Sequence, residues 1–108
     1  MVEPDAVRDL TPQEVAAGLE AGRILLVDVR EPQETATERI PGSVLLPLSR
    51  FDPDDIPDPQ GRAVVFTCAV GMRSLRAAET ALAAGYPYDA HLVGGLKSWK
   101  AAGFPTER

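Results

Sequence analysis

Residues 63–74 read Ala63-Val64-Val65-Phe66-Thr67-Cys68-Ala69-Val70-Gly71-Met72-Arg73-Ser74, and the change of pattern within them decides the fold. Ala63 to Thr67 is a short apolar run with no polar alternation, the mark of a strand covered on both faces. From Met72 or Arg73 to about Ala84 the spacing is helical. Leu75, Ala78 and Leu82 repeat on one face, Arg76 and Glu79 fall on the exposed side, and Gly85 and Pro87 stop the helix. A buried strand feeding a helix through a short loop is the unit of a parallel α/β sheet.

Working outward, the same alternation repeats. Val7 to Leu10 reads as a short edge strand. Thr11-Pro12-Gln13-Glu14 is a capping box with proline at the first helical position, starting a helix that buries Val15, Ala16 and Leu19 and ends near Glu20 before Gly22. Ile24 to Val27 is a second buried strand, and Asp28-Val29-Arg30 leaves it toward a short helix over residues 31–37. Residues 43–46 form a brief strand closed by Pro47. Residues 49–62 are a proline- and aspartate-rich loop with one helical turn near Arg50 and Phe51. Ala90 to Val93 is the last strand, and Gly94-Gly95 turns into a helix over residues 96–102, capped by Gly103. Short strands alternating with helices predict an α/β fold: a five-stranded parallel sheet with helices on both faces, and ligands gathered at the carboxyl ends of the strands. Cys68 stands at one of those ends.

The chain has 108 residues, which fits one domain over residues 7–108 behind a flexible tail at 1–6. Apolar residues make up 44% and charged residues 25%, an ordinary soluble composition. A net charge of −5 argues against a nucleic-acid surface, which needs concentrated Lys and Arg. A single cysteine excludes an intrachain disulfide, a CxxC pair and a cysteine-rich zinc cage, so neither metal nor cofactor is expected. A free thiol persists most easily in a reducing compartment, which points to the cytoplasm. The N-terminal ten residues lack the apolar core of a signal peptide, and no apolar run approaches a membrane span.

A lone cysteine behind a buried strand is most often a small core hydrophobe. Here its setting reverses that expectation. The loop is short enough to turn its N–H groups inward as an anion-binding nest, and Gly71 relieves the backbone restriction of a tight cradle. The next helix aims its N-terminus at the loop, and Arg73 adds a full positive charge. Such surroundings favour a thiolate, a persulfide or a bound oxyanion.

Residues 68–74 resemble the Cys-x-x-Gly-x-Arg-Ser active-site loop of the rhodanese-like sulfurtransferases. Leu26-Val27-Asp28-Val29-Arg30-Glu31 is similar to that family's first signature and Ile40-Pro41-Gly42-Ser43 to its second. Gly94-Gly95, with Trp99 and Ala102-Gly103-Phe104-Pro105, resembles the C-terminal one. Four motifs in order, from about Val7 to Pro105, imply a rhodanese-like fold and a double displacement. In it the Cys68 thiolate takes sulfane sulfur from thiosulfate or a persulfide donor and passes it to a thiol or cyanide acceptor. The resemblance implies that the backbone N–H groups of Ala69, Val70, Gly71, Met72 and Arg73 hold the persulfide and that Arg73 contacts the donor anion. It also leaves open a protein-to-protein sulfur relay or docking module, with little small-molecule turnover, as the alternative. The chain departs from the family where Glu38-Arg39 stand in place of the frequent Gly-His. It departs again in the uncharged residues between Cys68 and Arg73, which leave a persulfide or protein donor open beside thiosulfate.

Asp28, Arg30 and Ser74 are expected to support the loop through ion pairs and hydrogen bonds rather than to react. His91, the only histidine, reads as structural or exposed, Trp99 as a packing residue, and Asp52, Asp54, Asp55 and Asp58 as a solvated loop. A cysteine phosphatase or arsenate reductase also uses a thiolate under an anion cradle. A tetrahedral phosphate, however, needs five residues between Cys and Arg, and only four separate Cys68 from Arg73.

Overall fold

Thr11 accepts a hydrogen bond from the Glu14 N–H at 3.1 Å and its own N–H donates to the Glu14 carboxylate at 3.0 Å, so the capping box forms as its residues dictate. The computed structural model of the chain describes residues 6–108, and of the expected N-terminal tail only Ala6 lies within them. In chain order the elements are β1 (Arg8–Leu10), α1 (Pro12–Glu20), β2 (Ile24–Asp28), α2 (Pro32–Thr37), β3 (Val44–Leu45), β4 (Ala63–Thr67), α3 (Met72–Ala83), β5 (Ala90–Leu92) and α4 (Gly95–Ala101). The proline-rich loop carries two 3₁₀ turns, Leu48–Arg50 and Pro53–Asp55, rather than one. The Asp52 side chain starts the second by accepting from the Asp54 N–H at 2.9 Å, as Asp58 does for Gln60 further along.

The five strands form one parallel sheet in the order β1-β5-β4-β2-β3, so the expected α/β architecture is the observed one. Strand residues alternate between two cores, as the pleat requires. Leu25 and Val27 of β2 and Val64 and Phe66 of β4 face α3 and the long loop, where Phe51 meets Phe66 edge-on at 5.7 Å. Leu26, Val65, Ala90 and Leu92 face the other way, against Val15 of α1 and Trp99 of α4. Trp99 is a packing residue: its ring lies 4.8 Å from that of Phe104, and its indole N–H donates to the Pro105 carbonyl.

Of the residues expected on the buried face of α3, Ala78 and Leu82 pack on the core and Leu75 does not. Ser74, Ala77, Ala78 and Ala81 lie against the sheet, while Leu75 sits at the surface. Small side chains let the helix axis approach the sheet closely, and rotating the helix onto them carries Leu75 to the rim. That rotation also brings Ser74 under the loop, toward Cys68.

Replacing Phe66 by alanine removes the largest wholly buried side chain and its edge-to-face partner. It should cost about 3 to 5 kcal/mol, read as a lower urea midpoint with an unchanged slope.

Candidate active site

Where β4 ends, Thr67 hands the chain to Cys68, whose residue is only 1% exposed. Its Cβ belongs to the apolar core, but its Sγ meets polar donors. The Gly71 N–H donates to it at 3.0 Å and the Ser74 N–H at 3.3 Å, and the thiol in turn reaches Ser74 Oγ at 3.5 Å. Among the described residues, the N–H groups of Val70, Met72 and Arg73 meet no protein acceptor. Of the N–H groups expected to form a nest over residues 69–73, that of Gly71 reaches the sulfur, and the Ser74 N–H joins it from beyond them.

The loop takes this shape because its carbonyls are held elsewhere. The Leu96 N–H of α4 donates to the Cys68 carbonyl at 2.8 Å, and the Lys97 N–H to the Ala69 carbonyl at 3.0 Å. These first-turn amides have no partner within their own helix, and here they find one in the loop. With two carbonyls held by α4, the Gly71 and Ser74 amides meet the sulfur. The approach is so close that a Cβ on Gly95 would run into the Cys68 and Ala69 carbonyls. Gly71 turns the chain with φ of +102°, and a side chain there would also press on the Gly94 backbone.

Arg73 lies near the sulfur but is already engaged. Its guanidinium makes a fork with Glu34 of α2, at 2.7 and 2.9 Å. That hydrogen bonding carries the Glu34 carboxyl from the usual 4.5 to about 2, and it raises Arg73 above its ordinary value. Glu34 was not foreseen, because nothing local in residues 31–37 marks a carboxylate whose partner lies 39 residues ahead.

Asp28 and Arg30 lie deeper still. Arg30 donates to both Asp28 oxygens, at 2.8 to 3.1 Å, and to the Glu38 carbonyl at 2.8 Å. The pair ties the end of β2 to the segment after α2 rather than facing the thiol. Met72 and Val70, 72% and 56% exposed, flank the loop as an apolar rim. A groove of about 550 Å³ runs alongside, lined by Leu48, Ser49, Phe51, Arg73, Arg76 and Thr80. His91 is buried rather than exposed, and its ring lies beneath Ser74.

A thiol held by backbone amides at the carboxyl end of a central parallel strand places the single cysteine of this α/β protein where such sheets gather ligands. The sequence matches the family described as "Rhodanese-like domain" over residues 11–102, and the chain belongs to that family. It is 43% identical over 83 residues to an uncharacterized protein of Synechocystis sp., covering 77% of this chain and 46% of that one. It is 37% identical over 93 residues to the probable adenylyltransferase/sulfurtransferase MoeZ of Mycobacterium tuberculosis, covering 83% of this chain and 24% of that one. The chain thus spans less than half the length of these two relatives. The thiosulfate sulfurtransferase of Pseudomonas aeruginosa superposes with a TM-score of 0.83 at 29% identity, over 96% of this chain and 21% of that one.

Glu34 titrates below its unfolded value, so its ion pair contributes fully above about pH 4.5 and is lost as the pH falls toward 2. Glu34→Gln should lower stability at pH 7 by about 0.5 to 1 kcal/mol, the scale of a partly exposed pair. It should also flatten the acid limb of a urea-midpoint profile measured between those two pH values.

Proposed function

We propose that the domain carries sulfane sulfur on Cys68 as a persulfide, between a sulfur donor and a thiophilic acceptor. The observation that carries this reading is the pair of N–H groups, from Gly71 and Ser74, aimed at Sγ while the Cys68 and Ala69 carbonyls are bonded to α4. A sulfur anion accepts from such donors, and an outer sulfur added to Sγ would lie near the remaining loop amides. The Cys68 thiolate attacks the outer sulfur of the donor, and the donor's S–S bond breaks. Sulfite, or a thiolate, leaves with the electron pair. The acceptor then attacks the outer persulfide sulfur and returns Cys68 as thiolate. No cofactor or metal enters these steps, and the reducing cytoplasm is the compartment that suits them.

The loop also bears on the choice of donor. Ala69, Val70 and Met72 carry no charge, and the charge of Arg73 is already met by Glu34. Thiosulfate is a dianion, so a persulfide donor of lower charge fits this mouth better. The exposed apolar rim at Val70 and Met72 favours a second reading, in which the donor or acceptor is another protein and the domain relays sulfur between partners. The name of MoeZ, which pairs a sulfurtransferase with a second activity, is consistent with such a setting.

Incubation with thiosulfate and cyanide should yield slow thiocyanate formation that disappears in Cys68→Ser. Mass spectrometry should show one added sulfur on Cys68, removable by dithiothreitol; absence of that adduct from every donor tried would sink the proposal. Adduct formed from a cysteine desulfurase, with no thiocyanate turnover, would select the relay reading. Met72→Lys places a cation at the rim without touching the core, and should raise kcat/KM for thiosulfate by about tenfold, the low end of electrostatic steering.

A further inference from the structure

Strand alternation sends His91 to the opposite face from Ala90 and Leu92, the same face as Phe66, its register partner in β4. That face is covered by α3, and the small residues of α3 let Ser74 come down onto the ring. His91 Nδ1 lies 2.8 Å from Ser74 Oγ, and Nε2 lies 2.8 Å from Asp9 Oδ1. Asp9 is the residue of β1 paired with His91 across the sheet, and its side chain is 64% exposed. Ser74 Oγ in turn lies 3.5 Å from Cys68 Sγ. Four side chains, from the Cys68 loop, α3, β5 and β1, thus form a continuous polar line from the buried thiol to solvent.

We infer that Cys68, Ser74, His91 and Asp9 form a proton relay, in which the proton leaving the thiol is taken up by His91. A carboxylate can only accept, so Asp9 fixes the ring proton on Nε2 and leaves Nδ1 as the acceptor. Ser74 then donates to Nδ1 and turns a lone pair toward the thiol. The Gly71 carbonyl, at 3.2 Å from Ser74 Oγ, is the more distant competitor for that hydroxyl proton. In the shift the Cys68 S–H bond breaks and its electron pair stays on sulfur. Ser74 gains that proton as its own passes to Nδ1, leaving thiolate and imidazolium with no change in total charge. The Ser74 hydroxyl can then donate to the thiolate beside the two amides, while Asp9 balances the ring.

The other charged groups around this line are engaged elsewhere. Arg73 of α3 is forked onto Glu34 of α2, Asp28 and Arg30 of β2 hold each other, and Arg8 of β1 pairs with Asp89. Of the two cations of α4, Lys97 is exposed at the surface and Lys100 pairs with Glu38. His91 and Asp9 act through Ser74 and are positioning residues, not groups that meet the substrate.

The inference takes Cys68 as the reactive thiol but does not depend on which sulfur compound it carries, so the test reads the thiol itself. The full-length protein would be alkylated with iodoacetamide across a pH series. His91→Asn keeps a partner for Ser74 but cannot hold the proton; its rate near neutral pH should fall on the order of tenfold, with the profile moved up by about one unit. Asp9→Asn, at an exposed position that leaves the core intact, should move the profile in the same direction by less, and Asp9→Glu should restore it. Because His91 is the only histidine, its ring nitrogens give unambiguous NMR signals. They should titrate together with Cys68 in the wild type and lose that step in Cys68→Ala. Superimposable alkylation profiles for wild type and Asp9→Asn, or ring signals indifferent to Cys68, overturn the relay. Neither result would bear on persulfide formation, which the donor assays measure separately.

Discussion

Two hydrogen bonds between the first turn of α4 and the carbonyls of Cys68 and Ala69 set the form of everything at the carboxyl edge of the sheet. A tight loop has as many carbonyls as amides, and left alone it would present both to whatever sits inside it. Here the Cys68 and Ala69 carbonyls are taken by a neighbouring helix whose own amides had no other partner, and the Gly71 and Ser74 N–H groups meet the sulfur. The arrangement asks for glycine where α4 abuts the loop and glycine where the loop turns, and Gly95 and Gly71 answer those demands. The chemistry at Cys68 is therefore a consequence of packing between elements far apart in the chain.

Charge around the sulfur is arranged with similar economy. The cation next to the thiol is half of an ion pair that also pins α2 to α3, and the cation behind it is half of another that locks the end of β2. Neither guanidinium lacks a carboxylate partner. What meets the sulfur is directional: two amides and the Ser74 hydroxyl, with the His91 ring behind that hydroxyl. Interactions of that kind discriminate by geometry and by protonation more than by net charge.

The fold was legible because each local signal agreed with the global one. Capped helices alternated with short apolar runs, and the strands fell where those runs lay, to within a residue or two at their ends. The Cys68 loop was legible for the same reason, since the strand, the glycine and the helix start are contiguous. The partners of the loop were not. Glu34 reaches Arg73 across 39 residues and Asp9 reaches His91 across 82, and no periodicity encodes such a meeting. Leu75 misled for a different reason. Spacing names a stripe of a helix, and Ala78 and Leu82 of that stripe do pack, but at its first turn the small Ser74 takes the contact and Leu75 is left at the surface. The depth of His91 was hidden likewise, because a polar residue in a strand announces exposure unless its partners are known.

The borders of the sheet have a consequence for life in a crowded solution. Its outermost strands, β1 and β3, are three and two residues long. A foreign strand laid against either border would find only a few backbone groups to pair with, and at β1 it would meet the charged side chains of Arg8 and Asp9. So small a template gives little hold for edge-to-edge stacking.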